Sequence, residues 1–120
     1  MLGLLLRKED IGFMFQKPKV LVGCPTCGLY DYCLDEYIKG VKALSFSCDF
    51  VIVDNSEDNK YFEKIKSLGV DVIKDDFVEP AVKRIVSSRN KLRKKVLDEG
   101  YDYFLSLEQD VIPPVDFIEK

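Results

Sequence analysis

The chain has 120 residues, 47% hydrophobic and 32% charged, with a formal net charge of -3, the size and make-up of one globular domain with a single core. That acidic balance excludes a surface basic enough to pull the whole molecule onto nucleic acid, so no nucleic-acid partner is expected. The apolar opening Leu2 to Leu6 runs straight into Arg7, Lys8, Glu9 and Asp10, too short for a secretory core or a transmembrane segment. A cytoplasmic protein with four reduced cysteines is expected, with peripheral membrane contact left open.

Residues 1–17 have no clear period and read as an N-terminal extension; residues 18–120 read as the domain. The apolar run Val20 to Cys24 predicts a strand, and Leu34, Tyr37, Ile38, Val41 and Leu44 then share one helical face. Phe50 to Val53 predicts a second strand, followed by a helix carrying Tyr61, Phe62, Ile65 and Leu68. Gly69 stands where a helix C-terminus favours positive φ. Val70 to Ile73 is the third strand. Beyond Asp75 and Asp76 a helical run reaches Gly100, with a stripe of Val82, Ile85, Val86, Leu92, Val96 and Leu97 that also contains Arg89 and Arg93. Tyr103 to Leu107 is the last strand. Pro113 and Pro114 open what reads as the first turn of one more helix, so the domain reads as incomplete at its C-terminus: either an unusually short product or the first half of a longer domain. This alternation predicts an α/β fold, a doubly wound and mainly parallel sheet with helices on both faces.

In such a sheet, ligands bind beyond the carboxyl ends of the strands. The residues there are Cys24, Pro25 and Thr26; Asp54, Asn55 and Ser56; Asp75 and Asp76; and Glu108, Gln109 and Asp110. Neither G-x-G-x-x-G nor G-x-x-x-x-G-K follows any strand, so a backbone phosphate cradle is not expected. An anionic ligand then needs another counter-charge, and a divalent cation, Mg²⁺ or Mn²⁺, held by Asp110 is the simplest source. Asp75 and Asp76 read as a polar turn. If the long helix is continuous, Arg89 points toward the strand ends, where a phosphate would lie; if it starts at Ser87 or Ser88, Arg89 sits in a solvated first turn. Both alternatives stay open. Lys83, Arg84, Lys91, Lys94 and Lys95 read as a solvated face, or as a contact for anionic lipid or carrier phosphate.

The C-x-x-C of Cys24 and Cys27 raises two further readings. A thiol redox fold would end in an antiparallel hairpin, whereas this chain keeps alternating strand and helix. A zinc site would have to draw on Cys24, Cys27, Cys33 and Cys48, with no second C-x-x-C and no histidine. The remaining role is a backbone one: Pro25 and Thr26 turn the chain sharply at the sheet's edge and present main-chain groups to a flat ligand.

Taken in order, VLVGCPT, YCLDEYIKGVKAL, VIVDNSED, SSRNKLR and GYDYFLSLEQDVIPP resemble a family-two-type glycosyltransferase with the GT-A fold, over residues 19–120. The resemblance implies a site for a nucleoside-diphosphate sugar. Cys24, Pro25 and Thr26 match the segment that holds the nucleobase, Asp54 the acid that contacts it, with Asn55 beside it, and Arg89 and Asn90 the pair near the diphosphate. Glu108-Gln109-Asp110 matches the D-x-D metal motif, with Asp110 as metal ligand and Glu108, a glutamate in place of aspartate, near the ribose or a metal-bound water. In that family the acceptor site and the catalytic base lie beyond this motif, so the acceptor is unknown and no catalytic residue is assigned. The expected function is glycosyl transfer from that donor. The alternatives are a non-enzymatic nucleotide-sugar-binding or assembly module, and a C-x-x-C redox or zinc protein. An uncovered sheet edge is expected to make the chain self-associate.

Overall fold

The computed structural model describes residues 18–110 together with Asp116 and Ile118. The N-terminal extension and the helix expected from Pro113 lie outside the described residues. Strand β1 (Val20–Thr26) leads through a 3-10 helix (Gly28–Cys33) into α1 (Leu34–Lys42). Then come β2 (Asp49–Asp54), α2 (Lys60–Ser67), β3 (Asp71–Lys74), α3 (Ala81–Asp98) and β4 (Tyr103–Ser106). The four strands form one sheet in the order β3-β2-β1-β4, and every pairing is parallel. The α/β, doubly wound expectation matches this architecture.

The period of two along β1 sends its side chains to two cores. Val20, Val22 and Cys24 pack with Ile52 against Leu34, Tyr37, Ile38 and Val41 of α1 and Tyr61 and Ile65 of α2. Leu21 packs with Val51 and Val53 against Leu92 of α3 on the opposite face. Acids in the first turn of α1 (Asp35, Glu36) and lysines in its last (Lys39, Lys42) suit the helix dipole. Gly69 and Gly100, at φ 76° and 71°, close α2 and α3 in a conformation that other residues adopt at a cost.

Two sequence expectations are corrected. Pro25 and Thr26 do not turn the chain; they are the last residues of β1, in register with Val53 and Asp54. Gly23 accepts a hydrogen bond from the Leu107 N–H, and Thr26 accepts one from the Asn55 N–H. Alternate residues therefore face β4 and β2, and Pro25 falls on the β4 side, beyond the last paired residue, where its missing N–H is not needed.

The second correction concerns α3, only part of whose apolar stripe faces the sheet: Leu92, with Val96 beside it, packs there, and the rest does not. Val82, Ile85, Val86 and Leu97 are 69%, 44%, 52% and 68% exposed, whereas Ser88 and Leu92 are buried. Two contacts set the rotation. A Cβ on Gly23 would come within 2.7 Å of the Val51 carbonyl and 3.1 Å of Leu92, so the glycine makes room for Leu92 on the sheet. One turn earlier, the Ser88 hydroxyl donates to Asp75 at 2.9 Å and accepts from Asn55 at 3.2 Å. A polar anchor at the strand ends therefore outranks the apolar stripe.

Candidate functional site

From β1 the chain steps outward through β2 to β3, then α3 carries it back across the other face to β4, on the far side of β1. The strand order reverses between β1 and β4, and a crevice opens at such a point beyond the carboxyl ends of the strands. A cleft of about 360 Å³ occupies it. Pro25 and Thr26 come from β1, Asn55 from the end of β2, Arg89 from α3, and Glu108, Gln109 and Asp110 from the segment after β4.

Six of the nine residues singled out from sequence line this cleft: Pro25, Thr26, Asn55, Arg89, Glu108 and Asp110. The helix is continuous from Ala81, so Arg89 lies at its middle rather than in a first turn. Its guanidinium reaches Glu108 at 3.3 Å, with both side chains more than half exposed. Burial alternates after β4: Leu107 in, Glu108 out, Gln109 in, Asp110 out. That alternation brings both carboxylates to the cleft.

The other three residues are placed elsewhere. Cys24 is fully buried, and burial pushes its thiol up to about 12, opposite to an activated redox cysteine. Asn90 opens onto a separate surface depression beside Lys91 and Lys94. Asp54 is also fully buried. One carboxylate oxygen accepts from the Ser56 N–H and hydroxyl at 3.0 and 2.6 Å, and the other faces Lys74 at 3.3 Å. Ser56 in turn accepts from the Gly28 N–H at 2.8 Å. Asp54 therefore positions the start of the 3-10 helix and leaves no carboxylate surface for a ligand.

Asp75 is likewise an internal anchor. Burial raises its carboxyl, but donors from Ser88, the Asp76 N–H and Ser87, with Lys91 nearby, reverse that and hold it below the ordinary value. Asp75, Ser88 and Asn55 form one buried network tying α3 to the ends of β2 and β3.

Gln109 is the functional position that sequence reasoning passed over as the middle of a triplet. Its amide is buried and donates to the Tyr30 carbonyl at 2.8 Å and to the Tyr61 hydroxyl at 2.7 Å, while accepting from the Thr26 hydroxyl. It ties the Glu108–Asp110 segment to β1, the 3-10 helix and α2. The available signal was the position of Gln109 two residues after the apolar Leu107, on the inward side of the segment that leaves β4.

Among the described residues, no group of three or more His, Cys, Asp or Glu side chains is placed to hold a metal, and all four cysteines are free thiols. The cleft offers two carboxylates, Glu108 and Asp110. That donor set does not cage an ion alone, but it fits Mg²⁺ or Mn²⁺ that keeps part of its shell for phosphate oxygens and water. Among the described residues no helix is long and apolar enough to cross a membrane. No known protein family's profile matches the chain, and no curated protein matches it in sequence.

Proposed function

We propose that the cleft between β1 and β4 binds a nucleoside-diphosphate sugar together with a divalent cation, as the donor site of a GT-A-type glycosyltransferase acting on an unknown acceptor. The observation that carries this reading is positional: a cation, Arg89, and two carboxylates, Glu108 and Asp110, meet at the point where the strand order reverses. Ligands of doubly wound sheets bind there.

In this reading Asp110 and Glu108 hold the ion, and Thr26, Pro25 and Asn55 wall the cleft. Arg89 exchanges its pairing with Glu108 for the diphosphate, which accepts two parallel N–H bonds from a guanidinium. The ion, when bound, offsets charge on the leaving diphosphate. Arg89 adds a fixed positive charge beside it, in a site whose geometry is set before the ligand arrives. The same site serves a non-enzymatic donor-binding module, in which binding occurs without turnover.

Calorimetric titration of uridine and guanosine diphosphates with and without Mg²⁺ or Mn²⁺ tests the proposal. Binding is expected only with the metal, and Asp110→Ala removes the metal dependence. Arg89→Ala lowers affinity roughly 10- to 100-fold, the usual worth of a hydrogen bond to a charged group, with little change in stability because the Arg89–Glu108 pair is solvent-exposed. Equal binding in excess chelator overturns it. Release of nucleoside diphosphate from a sugar donor separates an enzyme from a binding module.

A further inference from the structure

Among the described residues, helix α3 is the one strongly basic element in an acidic chain. Between Ala81 and Asp98 it carries seven Lys and Arg against a single Asp, while the whole chain has a net charge of -3. With Ser88 and Leu92 fixed on the sheet, the 100° step of the helix turns Lys83, Asn90 and Leu97 most directly outward, with Val86, Arg93 and then Val82 toward one flank and Lys94 toward the other. Val82, Val86 and Leu97 are all more than half exposed, three aliphatic side chains spread over four turns, with Asn90 and Arg93 between Val86 and Leu97. Lys83, Arg93 and Lys94 are exposed as well. Among the described residues Lys83 and Arg93 make no ion pair, and Lys94 pairs only with Asp98 of its own helix at 3.1 Å.

We propose that this outward face of α3 docks on an anionic lipid bilayer. The face combines aliphatic side chains that gain by entering the boundary between headgroups and acyl chains with lysine and arginine heads that reach lipid phosphates, the pattern of an interfacial amphipathic helix. Long basic side chains can lay their stems along these aliphatic side chains while their charges stay in water. A nucleic acid is a poorer occupant. The outward face offers aliphatic side chains and no aromatic ring on which bases could stack. The contact is peripheral, because α3's inner face stays on the sheet. Its cleft-facing residues, Ala81, Arg84, Ile85 and Arg89, would then sit close to the lipid surface. The inference does not depend on what the cleft binds.

Co-sedimentation of the full chain with vesicles of phosphatidylcholine, with and without phosphatidylserine, tests it. The chain is expected to bind only the anionic vesicles and to be released by high salt. At about five-fold per basic residue, Lys83→Glu, Arg93→Glu and Lys94→Glu together lower partitioning at least roughly 100-fold. Val82→Ser with Val86→Ser also lowers it, at unchanged salt dependence. All five positions are exposed, so both variants should keep the parent's circular dichroism and melting temperature; a variant that does not is replaced by Lys83→Gln, Arg93→Gln and Lys94→Gln, which removes charge without adding acid. Absence of binding to anionic vesicles overturns the proposal, as does binding that neither variant weakens. A face that instead holds a second copy, seen as variants that lower the mass by light scattering without altering vesicle binding, or one that takes up RNA in place of vesicles, also overturns it.

Discussion

Gln109→Leu replaces a buried amide that uses both its donors and its acceptor with a side chain of similar reach and no polar atoms. It leaves the Tyr30 carbonyl, the Tyr61 hydroxyl and the Thr26 hydroxyl each short of a partner. At about 1 kcal/mol for each net hydrogen bond, the loss comes to about 3 kcal/mol, which lowers the melting temperature of a domain this size by roughly 12–24 °C. Urea denaturation should report the same loss as a lower midpoint at unchanged slope. The neighbouring Asp110→Leu is the control: Asp110 is exposed, so its stability effect should stay within about 0.5 kcal/mol. Because Gln109 pins the segment that carries Glu108 and Asp110, Gln109→Leu should also weaken metal-dependent nucleotide binding under conditions where the protein is still folded. A variant that melts with the parent would refute the claim that this amide holds the segment in place.

Asp75 makes stability fall in acid. Its carboxyl is held below the ordinary 3.8 in the folded chain, so its contribution is complete above that pH and is lost as pH falls through the folded value; Asp75→Asn should be less stable at neutral pH and flatten the stability profile below about pH 4. The Cys24 thiol, pushed up to about 12 by burial, should resist aromatic disulfide reagents in native protein at neutral pH and react once it is unfolded, and protein purified without added metal should contain no stoichiometric zinc; rapid native modification of Cys24 would restore the redox alternative. Strand β4 closes one side of the sheet with Tyr103 63% and Phe104 38% exposed, so light scattering should show self-association that Phe104→Lys abolishes, because a charge on an edge strand opposes pairing; a parent chain that is monomeric at all concentrations counts against it.

The element order was legible in the sequence because alternating apolar runs and helical faces need no knowledge of partners. Leu34, Tyr37, Ile38 and Val41 are buried as their spacing predicts, and Gly69 and Gly100 end helices where only their conformation fits. The rotation of α3 was not legible. Periodicity ranks faces by their own hydrophobicity, but a Gly23 that opens a slot for Leu92 and a Ser88 that meets Asn55 and Asp75 belong to other elements, and no window along α3 contains them. Pro25 misled for a similar reason. Proline signals a turn in isolation, yet here it lies beyond the last β4 pairing, where a strand tolerates it.

The acids beyond the strand ends differ in what surrounds them. Residue type alone makes Asp54, Asp75, Glu108 and Asp110 equivalent candidates for a cation or a ligand. Burial separates them, since a carboxylate can be withdrawn from water only where donors replace its hydration. Ser56 and Lys74 supply those donors to Asp54, and Ser88, Ser87 and the Asp76 N–H supply them to Asp75. Each of the two is thereby spent on holding a loop or a helix against the sheet. Among the described residues Glu108 pairs only with an exposed arginine, and Asp110 is itself exposed. Both are open to solvent, so in the proposed reading a cation displaces only water or a solvated guanidinium, at small cost. Under the proposed donor-site reading, the ion is therefore held by the two acids that the fold does not need, and Gln109 between them is the residue whose burial keeps them facing the cleft.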